Sequence, residues 1–414
     1  MEARAGEQRA LLVDMREGTL QNVQRSESAG LQLTAWVGKR RASAGTSHFS
    51  AAGISELIAR VTSMAKIAPE DAWSGLAPGN LVARRDDSHL ELLDPRDTDA
   101  NQLASWALEL EAAARAVPGV TQCEGAAVQF ASQRGMHVAS NGLSHRADSS
   151  FYSAGISVIA ANHGEKEVGR AQRAARWRED MPAMPAIGTE AGQMAAAQLG
   201  SRKLASQKAP VIFDRTVAMA LITPMLGASS GSAITRGTSF LKNKLGRRVF
   251  ASGVDIVDEP FKPRALGSRA VDQEGVAPRT RKIVDDGILT TWLLDCATAR
   301  QLKMETTGHA GGVSNLAVSP GKLSREELMS HAGSGLLVTT LFGPSLNPNS
   351  GDWSLGVAGF WFEQGAIAYP VSEVTVAGRL PDLYPHLVVG SDLEIREAAN
   401  SPSLLVPQMS IGGR

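Results

Sequence analysis

The sequence is short of the side chains that usually advertise a chemistry. Its 414 residues include two cysteines, Cys123 and Cys296, which lie far apart and outside any CxxC. That excludes a disulfide framework and a cysteine-built metal site, and it suits the reducing cytoplasm where the chain is expected to reside. There is no excess charge of either sign: 42 basic residues meet 42 acidic ones at a pI near 7.1. Global attraction to nucleic acid or to an anionic membrane is therefore absent, and neither is expected as a partner. No run approaches the ~18 uninterrupted apolar residues of a membrane span, and the charged N-terminus "MEARAGEQRALLVDMREG" lacks the apolar centre of a signal peptide. Neither export nor a membrane segment is expected. The eight histidines are also poorly placed for a helix-borne zinc hydrolase, which needs two imidazoles about one turn apart with a glutamate between them. No two of them lie three, four or five residues apart. The nearest pair, His137 and His145, flanks an Asn-Gly turn and is expected to face across a hairpin as surface polar residues.

What is present is apolar patterning. With 43% hydrophobic residues, the length suffices for two domains with cores of their own, and the fold class expected is α+β. In "GLQLTAWVGKRRASAGTS", Leu31, Leu33, Ala35 and Val37 alternate as in a strand, and residues 1–68 are expected to form a β-meander closed by a helix. Ser55 is the expected cap of that helix, whose stripe of Leu57, Ile58, Val61, Met64, Ala65 and Ala68 ends at Pro69. Asp97 or Thr98 opens a second helix carrying Leu103, Trp106, Ala107, Leu110, Ala113, Ala114 and Val117. A curved antiparallel sheet is expected to complete 97–178, with turns at Arg134-Gly135, Asn141-Gly142 and His163-Gly164. Two prolines in "EDMPAMPAIG", Glu179 to Gly188, mark the expected boundary between an N-terminal α+β domain, 1–183, and a β-rich C-terminal domain, 184–414. Helical spacing returns over 189–206 and 215–226 around a buried strand, "APVIFD", and Ser324 with Glu327 spells a capping box. Four polar-polar-glycine stretches, beginning near Arg16, Gln133, Asp285 and Glu363, are expected to be tight hairpins.

Four local features carry possible chemistry. "GASSG" matches GxSxG at Ser229, yet helical spacing rather than a strand leads into it, so Gly227 is expected to stop a helix. "TGHAGGVSN", from Thr307, is rich in glycine without any phosphate-loop spacing; Thr307, Gly308 and His309 are expected to be exposed there as contact residues. Arg236, Lys242, Lys244, Arg247 and Arg248 form a basic cluster with little aromatic interleaving, which is expected to be a solvated face. In "GDWSLGVAGFWFEQGAIAYPVSEVTVAG", a hairpin would send Phe360 and Phe362 to one side and Trp361 and Glu363 to the other, either buried on both faces or open on one to a partner chain or peptide.

That last block, together with "SPSLLVPQMSIGGR", the meander "SAGLQLTAWVGKRRASAGTS" and "IFDRTVAMALITPML", resembles the TldD/PmbA family, and within it the PmbA branch, also called TldE. The resemblance implies a heterodimeric zinc-dependent peptidase whose TldD-like subunit supplies HExxxH on a helix and a thiol ligand from its C-terminal region. At the matching helix this sequence has "LITPMLGASSG", Leu221 to Gly231, and no cysteine follows Cys296. No catalytic or metal-binding residue is thus carried over, and no cofactor is expected in this chain. Zinc is expected in the partner subunit. This chain is then the non-catalytic subunit, inactive alone, helping to form a channel for unfolded peptides or small proteins. Thr307, Gly308, His309, Phe360, Trp361 and Glu363 are the expected contacts with peptide or partner. The alternatives are a self-sufficient hydrolase using Ser229, a DNA-binding regulator in keeping with the family's "modulator of DNA gyrase" label, and a homodimer of other purpose.

Overall fold

The computed structural model describes residues 1–83 and 88–413. Its first unit is a six-stranded antiparallel sheet in the order β3-β2-β1-β4-β5-β6. The strands are β1 (Glu2–Arg16), β2 (Thr19–Val37), β3 (Arg40–Thr46), β4 (Val120–Ala139), β5 (Ser144–Asn162) and β6 (Glu165–Ala175). Tight turns close these hairpins where two successive residues accept positive φ, as at Glu17-Gly18 (51° and 70°) and His163-Gly164 (47° and 91°). Asp286-Gly287 and Gln364-Gly365 repeat the device later in the chain. The turn expected at Arg134-Gly135 does not exist. Those residues lie inside β4, where Gly135 is paired with Gly6 of β1 and a Cβ on it would stand 3.1 Å from the Ala5 carbonyl oxygen. The glycine there serves a close approach between strands.

Three helices cover one face of this sheet. Helix α1 (Ala51–Ile67) is capped by Ser50, whose hydroxyl accepts the Gly53 N–H. Ser55, the expected cap, sits inside the first turns and donates to the Ala51 carbonyl; Ser50 is the residue that keeps the extended backbone a cap requires. Helix α2 (Ala100–Arg115) starts one residue beyond its cap Asp99 and buries Leu103, Ala107, Leu110 and Ala114. Helix α3 (Met184–Ala197) begins within the proline-rich stretch expected to be irregular. Pro185 is in its first turn, where a missing N–H costs no hydrogen bond. Met184, Ile187, Ala191 and Ala195 join the core formed by α2, Val13, Val128, Ile156 and Val158, so this helix packs with the first sheet. The changeover to the second core falls between Leu199 and Leu204.

The second unit is built around β7 (Gln207–Phe213), followed by α4 (Met219–Ala228) and α5 (Gly231–Arg236). A small sheet in the order β10-β9-β8-β11-β16 combines β8 (Ile256–Asp258), β9 (Arg281–Asp285), β10 (Ile288–Leu289), β11 (Leu316–Val318) and β16 (Ala399–Asn400), with α6 (Cys296–Leu302) alongside. After α7 (Arg325–Ala332), which carries the complete Ser324–Glu327 capping box, come β12 (Gly335–Leu346), β13 (Asp352–Glu363) and β14 (Ala366–Arg379). Then follow α8 (Leu380–Leu383), β15 (Val388–Val389) and β17 (Leu404–Gly412). The larger sheet runs β14-β13-β12-β7-β17-β15, and a further pairing of β14 with β17 closes it on itself. Val211, Phe213, Leu336, Val338, Leu404 and Val406 face the main core, which also takes in Leu221, Ile222 and Met225 of α4. Ile212, Leu337 and Leu405 point the other way, against Leu328 and Met329 of α7. The protein is thus a β-rich α+β fold in two units.

The units are clasped by arginines. Arg176, from the end of the first sheet, donates to the carbonyls of Ala265 and Leu266 at 3.0 and 2.7 Å. Arg264 returns the contact to Glu91 and Glu179 and stacks 3.9 Å from the centre of the Trp177 ring.

Gly169 of β6 marks the tightest packing in the first unit, since a Cβ there would lie 2.0 Å from the Ala191 carbonyl oxygen of α3. Gly169→Ala is expected to push α3 off the sheet and cost about 1–3 kcal/mol. Urea denaturation checks this, with the midpoint falling at unchanged slope.

Candidate functional site

Helix α4 presents Leu221, Ile222 and Met225 to the core and contains Pro224. Its apolar sequence explains the burial, and Tyr384 of the segment after α8 donates a 2.8 Å hydrogen bond to the Leu221 carbonyl, fixing the helix in place. No imidazole, carboxylate or thiolate occurs from Met219 to Gly231. Gly227 lies in the last turn, and the helix runs on to Ala228, with Ser229 as the C-cap. Ser229 is fully buried, and its hydroxyl contacts the thioether sulfur of Met225 at 3.3 Å. A serine nucleophile needs a base within hydrogen-bond reach, and a thioether is not one.

The glycine-rich segment folds inward. Thr307 and His309 are 7% and 6% exposed, against the expectation of an exposed contact loop, and Gly308 is buried with them. His309 Nδ1 meets Thr307 Oγ1 at 2.8 Å, and Nε2 meets Asp258 Oδ2 on β8 at 3.2 Å. The other Asp258 oxygen accepts the Ser314 N–H at 2.8 Å, and Thr307 Oγ1 accepts the Leu294 N–H at 2.7 Å. A buried carboxylate demands such partners, and this polar loop supplies them. Nearby Asp272 accepts the N–H groups of Glu274, Val276 and Ala310. Burial pushes both the Asp272 and Glu274 carboxyls above their ordinary values despite those bonds. The resulting Thr-His-Asp chain has the order of a catalytic relay, but its hydroxyl is enclosed and committed to the backbone.

Phe360, Trp361 and Glu363 lie at the end of β13, in a hairpin that packs side chains on both faces while Ala366 to Ala368 of β14, at its tip, stay exposed. Phe360 and Phe362 pack toward α7, while Trp361 and Tyr369 lie against the main core. Trp361 is half-buried, and its Nε1–H donates to Glu363 Oε1 at 3.1 Å; Glu363 itself is exposed at the tip. The loop residues and the hairpin residues therefore serve two different packings.

His137 does stand directly opposite His145 across the β4–β5 hairpin, but it is buried rather than at the surface, because its Nε2 lies 2.9 Å from Glu2 Oε1 on the neighbouring strand β1. Among the described residues, no three histidine, cysteine, aspartate or glutamate side chains come together as a metal site. Both thiols are buried; burial first, then Glu111, pushes Cys123 up to about 11, and burial with Glu274 pushes Cys296 up as well. The basic cluster is exposed, with Arg248 paired to Asp286 at 3.1 Å. Sequence reasoning missed two crevices of about 330 and 460 Å³: in the smaller the β1–β4 face meets residues 268–273, and in the larger β1, β2 and Arg41 of β3 meet residues 69–77, 273–274 and 295–311. Arg4, His137, Arg176, Arg269 and Asp272 line the smaller one. Their components are more than a hundred residues apart, and only the docking of the two units creates them.

Asp258→Ala is expected to leave His309 Nε2 and the Ser314 N–H unpaired in the core and to destabilise the protein by about 2–4 kcal/mol. Chemical denaturation measures the loss. Neither cysteine is expected to react with a thiol reagent in the folded protein, and both should react after unfolding.

Comparison with known proteins accounts for the whole architecture. Family models of PmbA/TldA metallopeptidase domain 1, central domain and C-terminal domain match residues 1–65, 93–199 and 206–413. The chain is 34% identical over 406 residues to "Metalloprotease PmbA" of Escherichia coli O157:H7, covering 97% of this chain and 90% of that one. It is also 34% identical over 410 residues to a PmbA homologue of Haemophilus influenzae, with the same coverage. A crystal structure from Bacteroides thetaiotaomicron, described as a putative modulator of DNA gyrase, superposes with a TM-score of 0.94 at 25% identity, over 100% of this chain and 94% of that one. TldE from Thermococcus kodakarensis shares the fold, with a TM-score of 0.87 at 19% identity over 100% and 96% of the two chains. Among the described residues, no helix is long and apolar enough to cross a membrane. This chain belongs to the PmbA/TldA metallopeptidase family.

Proposed function

We propose that this chain is the non-catalytic subunit of a heterodimeric, zinc-dependent peptidase acting on unfolded peptides or small proteins. The observation that carries this is the donor chemistry of α4. The family's description calls for a metal, yet the side chains of this helix are apolar, buried and anchored by Tyr384. They do not fit a zinc ion, which takes imidazole, carboxylate or thiolate ligands. The high-lying thiols of Cys123 and Cys296 are poor candidates to supply the deficit, since a metal ligand must be the thiolate. Hydrolysis is therefore assigned to a TldD-like subunit that brings its own zinc, while this chain helps to shape the channel that holds an extended substrate.

Two crevices between the units support a role in confinement, because they add concave surface with charged and apolar groups interleaved. The Ser229 alternative loses its physical basis in the enclosed hydroxyl.

Mixing the chain with a zinc-bearing TldD-like homologue from the same cell is expected to give a co-eluting complex that cleaves unstructured peptides, with no cleavage by this chain alone. Absence of both co-elution and activity gain would remove the proposal. In the mixture, Ser229→Ala should leave turnover unchanged; peptide turnover by the isolated chain, lost in that variant, would instead establish the serine mechanism.

A further inference from the structure

The smaller of the two crevices at the junction of the units holds guanidinium groups that no carboxylate touches. Arg176 comes from the end of the first sheet and Arg269 from the second unit; both line the crevice and both are half-buried. A charge taken from water ordinarily has a counter-charge beside it. Among the described residues neither of these arginines forms an ion pair, and the donors they use go to backbone carbonyls: Ala265, Leu266 and Ser150 for Arg176, and Gly312 for Arg269. The Arg269 Nε–H is enclosed and has no partner. The carboxylates nearby are engaged elsewhere. Glu2 meets Arg4 and His137, Asp148 meets Arg146, Asp258 meets His309, and Asp272 accepts three backbone N–H groups. Burial holds both guanidiniums below their ordinary values, offset at Arg269 only in part by the more distant Asp258 and Asp272.

We infer that this crevice binds a carboxylate, the C-terminal α-carboxylate of a peptide, through Arg269 and Arg176. A guanidinium presents a planar fork of N–H donors that matches the two oxygens of a carboxylate. Arg269 keeps most of that fork, since the Gly312 carbonyl takes a single donor. Leu92, Met136 and Val271 line the same crevice, and Met136 is 41% exposed, so an apolar C-terminal side chain has a surface to cover. The volume of about 330 Å³ admits the end of a chain and not a folded domain. Inorganic phosphate shares the charge and the oxygens but leaves that apolar wall in water, which favours the peptide. Because Arg176 and Arg269 belong to different units, the bound carboxylate also bridges them. The choice of a peptide rests on the peptidase reading above; the anion site rests on the guanidiniums alone.

Isothermal titration calorimetry on the full chain without any partner subunit is the test, with acetyl-Ala-Ala-Leu as the free acid, the same peptide as its C-terminal amide, and inorganic phosphate as probes. The acid is expected to bind at least about tenfold more tightly than the amide, and more tightly than phosphate. Arg269→Gln is expected to weaken binding of the acid at least about tenfold. Met136→Glu changes an exposed side chain, sets a carboxylate against the guanidiniums and should abolish binding, which keeps the inference testable if Arg269→Gln does not fold. No binding of the acid at millimolar concentration, equal binding of acid and amide, or a folded variant that binds as wild type does would each overturn the site. Phosphate binding more tightly than the acid would overturn the peptide as its occupant. Binding of the acid, combined with no cleavage by the mixture with a TldD-like subunit, keeps this site and removes the subunit proposal; the reverse pattern removes this site alone.

Discussion

The second unit hangs on β7, a strand hydrogen-bonded on both edges and buried on both faces. It pairs in parallel with β12 through Val211 to Phe213 and antiparallel with β17 through the same residues. With no edge or face left to water, every side chain in "VIF" must be apolar, which is how the sequence stands. Val211 and Phe213 build the main core and Ile212 builds the one beneath α7. Backbone contact is as close as side-chain contact here: β12 opens on Gly335, where a Cβ would lie 2.3 Å from the Pro210 carbonyl oxygen. Around this strand, α4 has no freedom to be polar, and the lack of metal donors on it is a packing fact as much as a chemical one.

The same constraint explains why the buried side chains of α4 are all apolar. Apolar α4 side chains fill the concave side of the closing sheet, and Tyr384 ties the helix backbone to the segment after β14. The polar residues that suggest catalysis have been drawn elsewhere, into the bonds that let Asp258 be buried. The concave surfaces nearest these residues are the clefts at the junction of the units.

Much of the fold was legible because its signals are local. Positive φ at two successive residues selects pairs such as Glu17-Gly18 and Gln364-Gly365, and the capping box at Ser324 is complete within four residues. Legibility failed where a partner distant in sequence decides. Gly135 looks like a turn residue until Gly6, across the sheet, is seen beside it. The start of α3 at Met184 is hidden because prolines that break a helix interior are harmless in its first turn. His309 and Thr307 belong to a glycine-rich, polar stretch that suggests exposure, and Asp258, 51 residues earlier, pulls them inside. The clefts have no local signature at all. For the site, the apolar sequence of α4 could be read directly, whereas the burial of Thr307 and His309 could not.

The order in which strands meet their neighbours differs between the two units. In the first, hairpins join consecutive strands, β1 to β2 to β3 and β4 to β5 to β6, with one longer connection, from β3 to β4, that sets β4 beside β1. In the second, Val211 must wait for Val406 before the sheet can close. Loop-closure entropy penalises so distant an encounter before any contact repays it, and topologies of this kind assemble slowly. During synthesis, the strands of the first sheet are all made before β17 emerges, so closure of the second sheet is expected to be the last step.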